Sequence, residues 1–230
     1  MPEWNPLNYD AWYSTPLGKA SHMLERGLIL SMADAKKEQV VLDAGSGTGI
    51  YSIELAGRYA GVIALDGSLE MLKHARAKAS AQGITNIQFA CGGALNLPFP
   101  DNHFDAVFSV CMLCFIRDGD KAILEMKRVL KPGGRLVMGV LNKWSPWAVL
   151  RRLKGLFAET IYGNAVFISP PELKGMLEET GLGDIRLRSC LFFLPLDLGL
   201  YLGFSGMHEA IGKTLAPNAG AFLAASAKKL

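Results

Sequence analysis

From about residue 40 to residue 140 the chain alternates short apolar runs with amphipathic stretches. The runs VVLDA (40–44), VIAL (62–65), IQFAC (87–91), AVFSV (106–110) and RLVMGV (135–140) predict strands. Several are continuously apolar, as parallel strands covered by helices on both faces must be. Between them, residues 50–59, 68–82 and 118–130 predict helices, each of a length that makes one right-handed crossover. Ser68 is a fitting N-cap for the second of these, whose basic residues fall toward its C-terminal half and whose end is marked by Gly83. LKPGG at 130–134 stops the next helix, because proline cannot continue it and glycine permits the turn into a fifth strand.

Beyond residue 140 the alternation loosens. SPPELKGMLEETGL predicts a helix with Ser169 as N-cap, Pro170 at its first position and Gly181 as its stop. Apolar segments near 184–194 and 220–228 read as strands that finish the sheet, and 195–217 carries no assignable pattern. The apolar run from Cys190 to Phe204 is too short to span a membrane and contains Pro195 and Asp197, so it reads as a strand or a buried helix.

A length of 230 residues favours one large α/β domain over two small ones. The 24 basic and 21 acidic residues are mixed along the chain, which argues against a nucleic-acid partner. The N-terminus has acidic residues, prolines and no apolar core of signal-peptide length, so a cytoplasmic location is expected. Cys91, Cys111, Cys114 and Cys190 lack metal-site spacing or disulfide density, and they read as buried free thiols with no metal site.

The chemistry concentrates in LDAGSGTG, residues 42–49, directly after a strand and before a helix, where doubly wound sheets bind ligands. Gly45, Gly47 and Gly49 allow close approach of a ligand to the backbone, and Asp43 offers a carboxylate for a cationic amino group. About 17 residues past the last glycine, Asp66 ends the second strand, where a carboxylate can accept bonds from both ribose hydroxyls.

In this arrangement the chain resembles the class I S-adenosylmethionine-dependent methyltransferases, over about residues 8 to 181. LDAGSGTG looks like that family's glycine-rich first motif, Asp66 matches its ribose-binding acid, GGALNLPFPDNHFDAVFSV looks like its third- and fourth-strand region, and LKPGGRLV precedes its fifth strand. YDAWYSTPLGKA is similar to a leader found in some members, and VFISPPELKGMLEETGL to their late helix. The resemblance implies a Rossmann-like, doubly wound, mostly parallel seven-stranded sheet with helices on both faces and an antiparallel last strand. It also implies one domain over 1–230, with a leader or lid to about 35, a cofactor core over 36–140, a substrate cap over 141–168 and sheet completion over 169–230. The cofactor implied is S-adenosyl-L-methionine, held by Asp43, Gly45, Ser46, Gly47, Gly49, Asp66, Gly67, Met71, Gly93, Ala94, Leu95, Ser109 and Val110.

One departure stands out. Where the family commonly reads G-D-A, with an aspartate on the adenine amine, this chain has Gly92-Gly93-Ala94. Adenine contact then falls to backbone groups of Ala94 and Leu95, to Asn96, or to packing by Leu69 and Leu97. One lost hydrogen bond costs about 0.5 to 1.5 kcal/mol, so binding should survive.

Methyl transfer from a sulfonium needs alignment and exclusion of water more than a particular side chain. Should a base assist, Tyr9, Tyr13 and His22 are the first candidates, with His103 and His208 behind them. Trp144, Trp147, Phe157, Tyr162 and Phe167 would wall an apolar acceptor pocket, or simply pack a cap. Arg151, Arg152 and Lys154 would form a solvated basic face or touch an anionic membrane surface. The acceptor is therefore expected to be a small apolar molecule. Two alternatives remain: a non-catalytic binder of the same cofactor, and a nicotinamide-dependent oxidoreductase. The latter is disfavoured because Ile50 stands where the dinucleotide fingerprint wants its third glycine.

Overall fold

The computed structural model describes residues 5–155 and 165–230. Its strands are β1 (Val40–Ala44), β2 (Gly61–Asp66), β3 (Ile87–Cys91), β4 (Phe104–Val110), β5 (Leu130–Leu141), β6 (Leu182–Cys190) and β7 (Phe222–Lys229). They form one sheet in the order β3-β2-β1-β4-β5-β7-β6. Strands β1 to β5 pair in parallel, and β7 inserts antiparallel between β5 and β6. The sheet is the Rossmann-like one expected, with its last strand reversed.

Around it lie α1 (Pro6–Ser14), α2 (Pro16–Ser31), α3 (Ile50–Ala56), α4 (Leu69–Ala81), α5 (Gly119–Val129), α6 (Pro146–Gly155), α7 (Pro170–Glu179), α8 (Gly199–Gly203) and α9 (Ser205–Leu215). Successive strand residues feed opposite layers, because side chains alternate across a strand. Leu42, Val107 and Leu136 pack with Ile123 and Met126 of α5 and Leu173 and Leu177 of α7. Their neighbours Val41, Phe108 and Val137 pack on the other face with Ile29 of α2 and Tyr51 and Leu55 of α3.

Local chemistry explains the boundaries. Ser68 caps α4 by accepting from the Met71 N–H, and Ser169 and Glu172 form a reciprocal capping box at the start of α7. The leader, left without detail by the sequence, is two helices, each with proline in its first turn and a side-chain cap from Asn5 or Thr15. LKPGG does not simply precede β5. Leu130 already pairs with Phe104, and the register resumes at Arg135 opposite Ala106 after an excursion through Lys131–Gly134.

The reading of Cys190 to Phe204 as a strand or buried helix is corrected: β6 ends at Cys190, and Leu194, Leu196, Leu198, Leu200 and Phe204 are exposed. Pro195 and Asp197 interrupt both periodicities there. The unassigned stretch 195–217, which overlaps that run, contains the short helix α8 and then α9. Among the described residues no helix is long and apolar enough to cross a membrane.

Candidate functional site

The strand order reverses between β1 and β4, and the C-terminal tips of β1, β2, β3 and β4 meet beside a crevice of about 360 Å³. Open sheets bind ligands at this switch point. The loop after β1 is tied to β2, because the N–H groups of Gly45 and Ser46 both donate to the Leu65 carbonyl, at 2.8 and 2.9 Å. Gly45 and Gly47 line the crevice, both with left-handed backbones, at φ 79° and 53°. A Cβ on Gly45 would strike the Met112 side chain, whereas one on Gly47 would meet nothing within 4 Å and would stand in the crevice itself.

Asp66 fixes this loop from the tip of β2. Its Oδ2 accepts the Gly47 N–H at 2.8 Å and its Oδ1 accepts the Ser68 N–H at 2.9 Å. A carboxylate has about four acceptor positions, so each oxygen can still take a ligand hydroxyl. The far wall comes from the residues after β4: Cys111, Met112, Phe115 and Ile116. Cys111 turns the chain there with a φ of 60°. Its hydrogen bond with Cys114, together with burial, pushes its thiol well up, and the Cys114 sulfur accepts the Leu141 N–H at 3.2 Å. The same hydrogen bond lowers the Cys114 thiol.

Helix α1 closes over the crevice and is latched by Asp10. Its carboxylate accepts from Thr48 Oγ1 at 2.6 Å and Lys78 Nζ at 2.8 Å, and contacts His74 Nε2 at 2.9 Å. Burial works against the charge, but Lys78, Thr48 and His74 together hold the carboxyl below its usual range. From α1 an aromatic chain runs inward. The Tyr9 and Tyr13 hydroxyls lie 3.1 Å apart, Tyr13 meets His22 edge to face at 5.3 Å, and His22 meets Tyr51 at 5.7 Å. Burial pushes the Tyr13 and Tyr51 phenols well up and lowers the His22 imidazole. Glu25 sits one helical turn beyond Ser21 and His22, and burial raises its carboxyl to about 8 against the opposing charge of Arg151.

Comparison with known proteins fits this geometry. The profile of the family described as "Methyltransferase domain" matches residues 42–138. A ubiquinone/menaquinone biosynthesis C-methyltransferase of Vibrio cholerae is 36% identical over 182 residues, which cover 70% of each chain. The chain belongs to the S-adenosylmethionine-dependent methyltransferases. An uncharacterized protein of Mycobacterium tuberculosis is 33% identical over 203 residues, 88% of this chain and 66% of that one, so this methyltransferase spans just under two thirds of its mycobacterial relative. In fold it is similar to a methyltransferase of Thermotoga maritima, described as a possible histamine N-methyltransferase, with a TM-score of 0.75 at 22% identity over 97% of this chain and 95% of that one.

Against this family's pattern the expected residues divide. Gly45, Gly47, Asp66, Gly67, Met71, Gly93, Ala94 and Val110 line the crevice of the methyltransferase, and so does Tyr9. Asp43 does not. It is 1% exposed beneath the loop, where it accepts the Ser52 hydroxyl, and burial raises it to about 7 with the charge of Asp66 adding and Ser52 opposing. Gly49 likewise faces away, since its Cβ would meet Ala75 of α4. Ser46, Leu95 and Ser109 are outside the lining, as are the suggested adenine contacts Leu69, Asn96 and Leu97, with Leu97 packed in the core.

Other expectations are corrected by position. His103 is exposed at the opposite edge, just before β4, and His208 lies on α9 against Tyr201. Trp147 is buried and donates to the Phe193 carbonyl at 2.5 Å and Phe167 packs on the core, whereas Trp144 faces solvent, and none of the three lines the crevice. Phe157 and Tyr162 lie outside the described residues, as does the side chain of Lys154. The guanidinium groups of Arg151 and Arg152 lie over Trp147 and Phe167 at 5.1 and 5.7 Å, with Arg152 exposed to solvent. Cys114 and Cys190 are buried thiols, but Cys91 is exposed and Cys111 borders the crevice. Among the described residues no group of three or more metal-ligating side chains occurs.

Sequence reasoning missed the lining residues Met112, Phe115 and Ile116, and it did not single out Glu25, which lies outside the lining. For the first three the signal was available, because they directly follow the tip of β4 at the switch point. For Glu25 it was a carboxylate on the same helical face as Ser21, His22 and Ile29.

Proposed function

We propose that this chain binds S-adenosyl-L-methionine in the crevice and transfers its methyl group to a small acceptor entering from the side of α1 and α2. The observation that carries the reading is the pair formed by Gly47 and Asp66. A bare, left-handed glycine opens backbone to the ligand while its N–H orients a carboxylate that keeps acceptor positions for a ribose. Gly45 and Gly47 would border the methionine part, Asp66 the ribose, and Gly93 with Ala94 the adenine. When bound, the cofactor supplies a methyl group already activated by positive charge. The chain's own work is then alignment, through the loop fixed on β2, and exclusion of water, through α1 latched by Asp10.

A C-methyltransferase of quinone biosynthesis among the relatives makes quinols the first acceptors to test. Titration calorimetry with S-adenosylmethionine and with NADH should give binding of the first alone, and S-adenosylhomocysteine should accumulate with 1,4-naphthohydroquinone. Binding of NADH, or of neither compound, would reject the reading. A non-catalytic binder draws support from Gly93, which offers adenine no side chain. It predicts binding without any product.

A further inference from the structure

Behind Tyr9 and Cys111, on the face of the sheet covered by α2 and α3, the interior is unexpectedly polar. The buried Tyr51 Oη, Ser21 Oγ and His22 Nδ1 have no hydrogen-bond partner among the described residues. Orphaned polar atoms are rare in protein interiors and mark a place where a partner binds. Three of them occur here, on the neighbouring residues Ser21 and His22 of α2 and on Tyr51 of α3, which meets His22 ring to ring. Glu25 belongs to the same group. It lies on the inward face of α2 between Ser21 and Ile29, its charge reaches Tyr13, Tyr51 and Cys111, and among the described residues it makes no ion pair or hydrogen bond. The residue is partly buried, and a partly buried carboxylate without a partner among the described residues costs stability that packing does not repay.

We propose that this cluster is the acceptor subsite and that Glu25 takes the proton of an aromatic acceptor carrying a phenolic or hydroquinone hydroxyl. The inference rests on the methyltransferase reading and adds the acceptor class and the base. In the step, the acceptor O–H bond breaks and its proton goes to the Glu25 carboxylate. The acceptor's oxygen, or the ring carbon activated by it, forms the new bond to the methyl carbon, and the electron pair of the broken carbon–sulfur bond stays on sulfur; where carbon is methylated, its C–H bond then breaks, the electron pair restores the aromatic ring and the proton leaves to solvent. Tyr9, Tyr13 and Tyr51 offer ring faces and edges to a planar ligand, and the hydroxyls of Ser21 and Tyr51 with the His22 ring give its oxygens partners. The charge of Arg151 on α6 acts against an ammonium acceptor.

The neighbouring groups leave Glu25 as the base. Tyr13 from α1 and Tyr51 from α3 hold their protons, as do Cys111 after β4 and Cys190 at the end of β6. His22 on α2 is weakened as a base by burial. A carboxyl raised to about 8 is close to phenols in proton affinity, which favours transfer between them.

The test uses the full chain with S-adenosylmethionine and two probes, 1,4-naphthohydroquinone kept reduced and 2-naphthol. The rate at saturating probe should rise about tenfold per pH unit from pH 6 and level near pH 8. Glu25→Gln should lower kcat about 10² to 10⁴-fold and abolish that rise while cofactor affinity stays within about twofold, and Glu25→Asp should restore part of it. Methyl transfer to neither probe by a wild type that binds the cofactor would overturn the acceptor class and the base together. Glu25→Gln with wild-type kcat and the same pH rise would overturn the base. Failure of the wild type to bind S-adenosylmethionine would instead remove the reading underneath. Should Glu25→Gln not fold, the ¹³C spectrum of glutamate-labelled wild type decides: one carboxyl should titrate near pH 8 and shift with 2-naphthol, and a spectrum without such a carboxyl contradicts the proposal.

Discussion

The two sides of the crevice are built on different principles. At the tips of β1 and β2 the wall is mostly main chain, with glycines in left-handed conformations, N–H groups donated to Leu65 and one carboxylate bracing the loop. On the side of α1 and α2, Tyr9 lines the crevice, and behind it, outside the lining, stand the side chains of Tyr13, Glu25 and Tyr51 on three different helices. A ligand common to many enzymes can be held by backbone, whose geometry any sequence with the right glycines reproduces. A ligand particular to one enzyme must be distinguished by side chains. Under the proposed function, the first side carries the shared cofactor and the second carries specificity.

That contrast can be broken in several places. The largest effect is expected at Asp43, which the contrast makes a foundation of the loop instead of a ligand contact. Its carboxyl is raised in the folded state to about 7, so the folded chain binds more protons than the unfolded one between about pH 4 and pH 7. Its contribution to stability is full below the unfolded value and is lost as pH rises through the folded one, a change on the order of 2 to 4 kcal/mol. Asp43→Asn should remove this fall, so its melting temperature relative to wild type should climb from pH 5 to pH 8. A difference that does not vary with pH would show that Asp43 is not buried as described.

Next comes Gly47→Val. The left-handed backbone costs a branched residue at least about 1–2 kcal/mol, and its side chain stands in the crevice, so calorimetry should show cofactor affinity reduced by about a hundredfold or more. Normal binding would remove the loop from the site. Asp66→Ala should cost about 1.5 to 3 kcal/mol of cofactor binding, a loss of tenfold or more, since it removes charge-assisted bonds. Unchanged affinity would unseat the ribose assignment. The smallest effect is a gain. A Cβ at Gly93 meets nothing within 4 Å and its backbone is not left-handed, so Gly93→Asp should fit without strain. It should tighten binding by about 0.5 to 1.5 kcal/mol if it reaches the adenine amine, and weaker binding would place the adenine elsewhere.

The same contrast governs what the sequence disclosed. β1 to β4 and their loops were legible because parallel strands are continuously apolar, helix caps are local, and a glycine loop between strand and helix has few alternatives. Asp66 could be placed because the strand tip fixes it. Asp43 was misjudged because the residue at the very end of a strand can face ligand or core, and only the position of Ser52 decides between them. The aromatics after β5 misled for a similar reason. Trp147 and Phe167 look alike as pocket lining and as packing, and here their partners are Phe193 and the core. Glu25 stayed hidden because its meaning lies in what α1, α3 and α6 bring around it, contacts that no local spacing encodes.

The central claim is that one crevice holds the adenosyl compound on its backbone side and turns its sulfur toward the side-chain cluster. A crystal structure with S-adenosylhomocysteine tests it most directly. The account predicts both ribose hydroxyls on Asp66, the amino acid part beside Gly45 and Gly47, and open space between the sulfur and Tyr13, Glu25 and Tyr51. A ribose away from Asp66, or a sulfur facing solvent with that cluster sealed behind it, would contradict it.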